Sequence, residues 1–213
     1  MNALMGKNLK QVLILFSLFL LSCATTLPGR QYAQGSIVDI GYFSVIGPPG
    51  DGWLVNKQKD ERKVEFQKHN ISQSAGFINE STLIHVIQNW VADEKLKRLS
   101  EEEIADDFRG KEEAGMIVRG VMMGKYELAD VKKDKIIIGD KKLYFMSYKI
   151  SGVGKPVPRK WMGEAVLYLF FPPDFKEKYL FYCFLIQQTK VEGFFEAYDL
   201  TPIIPVINSL EIK

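Results

Sequence analysis

The chain has 213 residues, of which 46% are hydrophobic and 12% are aromatic, so it is long enough for one domain with a sizeable core. Its 28 Lys and Arg side chains nearly balance 26 Asp and Glu side chains, for a formal net charge of +2. This balance argues against a nucleic-acid-binding protein, which needs a basic field, and against a polybasic membrane-surface protein.

The N-terminus has the pattern of an export signal. Lys7 and Lys10 precede an apolar stretch, Val12–Leu21, that is too short to cross a bilayer comfortably. The following Leu20-Leu21-Ser22-Cys23 resembles the lipobox of bacterial lipoproteins. The resemblance implies that Cys23 becomes the first mature residue and carries the lipid. The alternatives are an ordinary signal peptide and an uncleaved anchor, with an incidental cysteine.

Three segments follow from this interpretation. Residues 1–22 are the signal peptide, 23–36 are a lipidated tether and 37–213 form a single domain. The leader removes two lysines, which leaves 26 basic and 26 acidic side chains in the mature chain. In lipoproteins of Gram-negative bacteria of the enteric type, Ala24 after the cysteine favours the outer membrane, so we expect a lipid-anchored protein of the cell envelope, in the outer membrane and facing the periplasm.

Strands dominate the first half of the domain. Tyr42–Ile46 and Trp53–Lys57 are predicted strands joined through the turn-forming residues 47–52. Val64–His69 alternates like a half-buried strand. Residues 81–91 are apolar on both faces, which predicts a central strand.

A helix is predicted over residues 101–118. Ser100 and Glu103 have the spacing of a capping box, and Glu101–Glu103 favour the positive end of a helix dipole. The acidic run is therefore interpreted as a helix start and not as a metal site.

The second half returns to strands. Two or three are predicted from Tyr126 onward, with tight turns near Lys133-Asp134 and Gly139-Asp140. The aromatic runs 160–173 and 178–188 are the strongest strand signals in the chain. A closing helix is predicted over 202–210, with Thr201 as N-cap and Pro202 at the first helical position.

This element order predicts an α+β fold, an antiparallel sheet with helices packed on it. The segment "GYFSVIGPPGDGW", the strand "VEFQK", the mid-chain helix and the terminal "VINSL" resemble the PsbP-like group, which includes bacterial lipoproteins of the DcrB type. The resemblance implies an αβα sandwich and a role in binding or assembly, with no shared catalytic residues.

The chain contains no recognisable catalytic or metal-binding motif, and we expect no enzyme activity, cofactor or metal. His85 lies among apolar residues and is predicted to be a hydrogen-bonded core residue, while His69 is predicted to end an exposed strand. Cys183 is predicted to be a buried apolar residue.

Two cationic segments are candidate binding surfaces. One predicted hairpin carries five lysines with three aspartates interleaved, most simply as a solvated edge, with contact to anionic lipid or to a partner as the alternative: Lys132, Lys133, Lys135, Lys141 and Lys142, with Asp130, Asp134 and Asp140. The loop from Gly154 carries Lys155, Arg159, Lys160 and Trp161, a combination typical of partner-binding surfaces. The alternative is an ordinary loop in which Trp161 packs inward.

Three classes of function remain open at this point. The first is an envelope lipoprotein that binds or scaffolds a protein partner without catalysis. The second is a carrier of a small ligand or lipid that uses a cleft between sheet and helix. The third is a hydrolase with unrecognised residues.

Overall fold

An antiparallel sheet of eight strands lies at the centre of the computed structural model, which describes residues 30–31, 34–71, 78–110, 124–154, 160–191 and 197–213. Numbered in chain order, its strands follow one another across the sheet as β1 (Arg30–Gln31), β4 (Leu54–Gln58), β5 (Lys63–Ile71), β6 (Ile78–Trp90), β10 (Leu180–Val191), β9 (Lys160–Phe170), β8 (Lys141–Gly154) and β7 (Gly124–Ile138).

A small sheet and short helices complete the described fold. In the small sheet, β3 (Phe43–Ile46) lies between β2 (Ile37–Asp39) and β11 (Glu211–Ile212), antiparallel to both. The helices are a 3₁₀ turn (Leu96–Arg98), α1 (Glu101–Gly110), α2 (Phe175–Lys178) and α3 (Ile203–Asn208).

The first face of the large sheet is covered by the small sheet and α3. Alternate residues of β5, β6 and β10 point to this face because successive strand side chains lie on opposite sides. They form one core with residues of both covering elements: Val64, Phe66, Ile84, Val86, Tyr182, Phe184 and Ile186, with Val38, Phe43, Val45, Ile203, Val206 and Ile207.

The second face packs against α1, α2 and the residues that flank α2. Strand residues that alternate with those facing the first core supply the sheet side of this second core, from β8, β9 and β10. The helices and residues at the ends of strands supply the other side. Its members include Met146, Leu167, Leu169, Cys183 and Leu185, with Ile104, Ala105, Phe171, Phe175 and Phe181.

The predicted α+β sandwich is wrong. Of the described residues, 57% lie in strands and 14% are helical, and the fold is mostly β, with two antiparallel sheets and three short α-helices. The first face is covered largely by β2, β3 and β11, which bury Val38, Phe43 and Val45. A second sheet can bury the apolar face of a sheet as well as a helix can.

Two local predictions also need correction. Lys133 and Asp134 lie inside β7, beyond an irregularity in pairing between Ala129 and Lys132, and the hairpin turns only at Gly139-Asp140. The predicted strands at 42–46 and 53–57 exist as β3 and β4, but they belong to different sheets. The turn-forming residues between them therefore cross from one layer to the other.

The helix starts were predicted with mixed success. The capping box is confirmed, because Ser100 Oγ accepts from the Glu103 N–H while the Glu103 carboxylate accepts from Ser100. Residues 111–118 of the predicted helix lie outside the described residues. Thr201 is not the N-cap; its hydroxyl donates to Asp199, and Pro202 occupies the cap position.

No described helix is long and apolar enough to cross a bilayer.

Candidate functional site

An open groove of about 390 Å³ lies at the end of the large sheet where β6 ends and β10 begins. It is lined by cationic, aromatic and aliphatic side chains: Arg62, Trp90, Val91, Ala92, Lys97, Lys178, Tyr179 and Leu180. We call it the Arg62–Trp90 groove.

Arg62 is held in one place by contacts with Gln88. The Gln88 N–H donates to the Arg62 carbonyl at 3.0 Å, and the Arg62 guanidinium donates to Gln88 Oε1 at 3.1 Å. Gln88 is itself buried and donates through Nε2 to the hydroxyl of the buried Tyr182 at 2.7 Å. Arg62 is therefore positioned by a chain of hydrogen bonds that begins in the core.

Two exposed aromatic rings flank this guanidinium. Its carbon lies 4.5 Å from the ring centroid of Tyr42 and 5.3 Å from that of Trp90. Trp90 is 59% exposed and Tyr42 is 41% exposed. Solvent-exposed Trp beside a positioned Arg is the composition that dominates binding energy at protein interfaces.

The backbone of the groove is strained at two points. Arg62 (φ 50°) and Tyr179 (φ 54°) are the two described non-glycine residues with left-handed backbone, and both line the groove. This conformation costs a side chain about 1–2 kcal/mol. Each position is set by neighbouring contacts: Arg62 closes a turn onto Lys59, and the Tyr179 carbonyl accepts from the Val91 N–H at 2.9 Å. Strain of this kind tends to cluster at functional sites.

The positive charges of the groove differ in their partners. Lys97 lies 2.6 Å from Glu94, and Lys178 lies 2.6 Å from Asp174, a hydrogen bond that raises the pKa of Lys178. Among the described carboxylates none pairs with Arg62. The guanidinium is thus the cation best placed to receive a carboxylate from another molecule.

Of the surface predicted from the sequence, the described residues Lys160 and Trp161 lie at the other end of the sheet. Lys155 and Arg159 are outside the described residues, Lys160 is exposed and Trp161 is partly buried, opposite Val191 in β10. β10 runs from Leu180 at the groove to Val191, a length of about 35 Å. The groove and the described residues of the predicted loop, Lys160 and Trp161, are therefore separate. Cys23 also lies outside the described residues.

The predicted lysine-rich edge is exposed. Residues 131–137 of the edge strand β7 are solvent-exposed, and Lys135 pairs with Glu102 of α1 at 2.7 Å. Lys141 departs from the prediction, because its side chain is only 12% exposed and lies 3.1 Å from Asp140.

The buried histidine and cysteine have structural environments. His85 is 6% exposed, and its Nε2 lies 2.7 Å from Glu65 Oε2, which confirms the predicted core residue. His69 lies inside β5, which continues to Ile71 and buries Val64 and Phe66, so the prediction that it ends an exposed strand is wrong. Cys183 is 1% exposed, as predicted, and burial raises the pKa of its thiol.

A second buried polar cluster fastens residues 197–199 to the sheet. The Lys190 ammonium donates to the Ala197 carbonyl at 3.1 Å and lies 3.8 Å from Glu80 Oε1. The Gln188 side chain accepts from the Asp199 N–H at 2.6 Å. These groups contact one another. The cluster therefore explains how residues 197–199 are held against the sheet and does not indicate a ligand-binding site.

No family model matches this sequence, and no curated protein matches it either. The resemblance to bacterial lipoproteins and to the PsbP-like group stays a prediction. Among the residues that the structure describes, no group of three or more His, Cys, Asp or Glu side chains could hold a metal ion.

Sequence reasoning missed the groove because its parts are far apart in the chain. Arg62, Trp90 and Tyr179 belong to a turn, a strand end and a helix end. The available signal was Trp90 at the end of a strand that is otherwise apolar on both faces, followed by the charged segment "DEKLKR". A large aromatic residue at such a boundary is a candidate surface residue.

Proposed function

We propose that this chain is a lipid-anchored protein of the cell envelope that binds a protein partner in the Arg62–Trp90 groove, without catalysis. The lipobox-like segment ending at Cys23 supports the anchor. The observation that carries the binding role is the positioned Arg62 guanidinium between two exposed aromatic rings, on a strained backbone.

The chemistry of the groove indicates what the partner offers. A guanidinium binds a carboxylate through charge-assisted hydrogen bonds, and the adjacent Trp90 ring favours an apolar or aromatic side chain. The groove is open and small, so it suits one or two protruding side chains better than an enclosed ligand. We therefore expect a partner segment in which an acidic residue adjoins a large apolar residue.

The alternative functions fit the described residues less well. A carrier would need a cleft between sheet and helix, but Ile203, Val206 and Ile207 of α3 are fully buried against the sheet. For a hydrolase, Cys183 and His85 are 1% and 6% exposed, so neither offers a substrate an accessible nucleophile or base.

Site-specific photo-crosslinking in intact cells tests the binding role. A photoreactive residue at the groove position Ala92 is expected to yield a protein adduct. The matched control is Met162, which is 51% exposed near the far end of β9. Equal adducts from both positions, or none from Ala92, would contradict the proposal.

Arg62→Gly separates binding from stability. Glycine accepts the left-handed backbone without strain, and this relief offsets the loss of the guanidinium hydrogen bond to the buried Gln88 Oε1, so thermal stability should change little. We expect the Ala92 adduct to fall at least tenfold, the usual effect of losing an interface residue that dominates binding. An unchanged adduct would show that Arg62 does not bind the partner.

The anchor has its own test. Cys23→Ser should leave the precursor uncut and without incorporated radiolabelled palmitate. Equal labelling of the wild type and the variant would contradict the lipoprotein assignment while leaving the binding experiment intact.

A further inference from the structure

We propose that the open edge of the large sheet at β7 binds an extended acidic segment of another protein, which adds to the sheet as a further strand. This surface is distinct from the Arg62–Trp90 groove, because β9 and β8 lie between β7 and β10. The site consists of residues 131–137, which are solvent-exposed along the whole of this stretch.

Every second residue of this stretch presents its backbone N–H and C=O to the open edge. β7 and β8 are joined by a two-residue turn, so the flanking Ile138 and Lys141 form a hydrogen-bonded pair. Such pairs alternate with pairs that are not hydrogen-bonded. The backbone groups of Lys133, Lys135 and Ile137 therefore point away from β8. Among the described strands, none lies beyond β7.

A hydrogen bond at Lys135 agrees with this direction and shows what the edge accepts. The Lys135 N–H donates to Oδ1 of the neighbouring Asp134 at 2.8 Å. A carboxylate oxygen thus occupies the position that a carbonyl of an added strand would take. Because this hydrogen bond is solvent-exposed, exchanging it for a backbone carbonyl costs little.

The side chains of this stretch offer both apolar and cationic contacts. Ile136 and Ile137 are 40% and 73% exposed, so an added strand would bury apolar surface that solvent now reaches. Lys133 and Lys135 lie on the second face, where Lys135 contacts Glu102 of α1. Acidic side chains opposite these lysines would form cross-strand ion pairs. A lipid headgroup offers the same charge but no row of backbone donors and acceptors.

The same lysines disfavour a second copy of β7 as the occupant. In an antiparallel pair of identical strands, a register centred on Lys133 or on Lys135 places that lysine opposite itself. A register centred on Asp134 places Lys133 opposite Lys135 and Asp134 opposite itself. Like charges directly opposite one another destabilise a sheet, and edge lysines oppose self-association in this way. An acidic strand is instead stabilised by these charges.

Peptide binding to the full lipidated chain, held in nonionic detergent, tests the proposal. The probe is a capped eight-residue peptide of alternating Glu and Val, and the matched peptide has Lys in place of Glu. We expect the acidic peptide to bind about tenfold more tightly or better. It should slow amide exchange at Lys133, Lys135 and Ile137. The acidic peptide N-methylated at its Glu residues should lose this binding, because it cannot complete the backbone ladder.

Charge reversal locates the binding surface. Lys133→Glu should lower the affinity for the acidic peptide about tenfold and leave thermal stability nearly unchanged, because the side chain is exposed. Lys59→Glu is the matched control, since this exposed lysine lies in the turn after β4, on the opposite side of the sheet. It should bind the peptide like the wild type. Arg62→Gly should also bind normally, which separates this surface from the groove.

Each other result would contradict the proposal. Equal affinity for the acidic and the cationic peptide would show that charge does not select the occupant. Binding that survives N-methylation would show that no strand is added. Slowed exchange of the β7 amides that depends on protein concentration, without peptide, would assign the edge to a second copy. The absence of binding at about 1 mM acidic peptide would refute the site.

Discussion

The buried pair of Glu65 and His85 makes stability depend on pH in a defined window. Burial raises the pKa of Glu65, but the contact with His85 Nε2 at 2.7 Å and the charges of His85 and Lys63 outweigh it and lower this pKa from 4.5 to about 2. The Glu65 side chain is only 12% exposed, so solvent screens these contacts weakly.

The sign and size of the effect follow from proton linkage. Between pH 4.5 and 2 the unfolded chain binds a proton at Glu65 that the folded protein does not bind. The free energy of unfolding therefore falls as the pH falls through this window. A pKa of Glu65 lowered from 4.5 to about 2 corresponds to about 3 kcal/mol of stability, which is present above pH 4.5. Burial also lowers the pKa of His85 from 6.5, so the unfolded chain binds a further proton there and stability already begins to fall as the pH drops below 6.5.

Urea denaturation of the wild type and Glu65→Gln at several pH values between 7 and 2 measures this contribution. We expect the variant to be about 2–3 kcal/mol less stable at pH 7 and to lose much less stability between pH 4.5 and 2. Glu102→Gln is the matched control, because the exposed pair of Glu102 and Lys135 should contribute less than about 1 kcal/mol. Parallel pH profiles for the wild type and Glu65→Gln would refute this reasoning.

Three further predictions concern packing and local structure. Gly163→Ala would place a Cβ 2.5 Å from the Gln188 carbonyl oxygen, so we expect a loss of about 2 kcal/mol in urea denaturation. A free energy of unfolding left unchanged by Gly163→Ala would contradict the clash. Cys183 should react with a thiol reagent only at the rate of unfolding, and rapid labelling of the native protein would disprove its burial. Ser100→Ala should cost about 1 kcal/mol and speed amide exchange at the start of α1; unchanged exchange would argue against the cap.

Local sequence patterns identified the long strands and one helix start correctly. The apolar and aromatic runs of β6, β9 and β10 show which segments are buried on both faces, because a strand covered on both sides has apolar residues at consecutive positions. The capping box at Ser100 involves groups three residues apart, and it is present as predicted. Burial of Cys183 and His85 also followed from their immediate neighbours.

The covering layers and the groove were decided by contacts between distant segments. Ser44 in β3 pairs with Glu211 in β11, 167 residues away, and this pairing puts a sheet where a helical layer was expected. Arg62, Trp90 and Tyr179 meet only because β5, β6 and β10 are adjacent in one register. Local patterns show which secondary structure each segment favours and which of its faces are buried. The choice of partner depends on the free energy of packing whole elements together, which only the tertiary structure reveals.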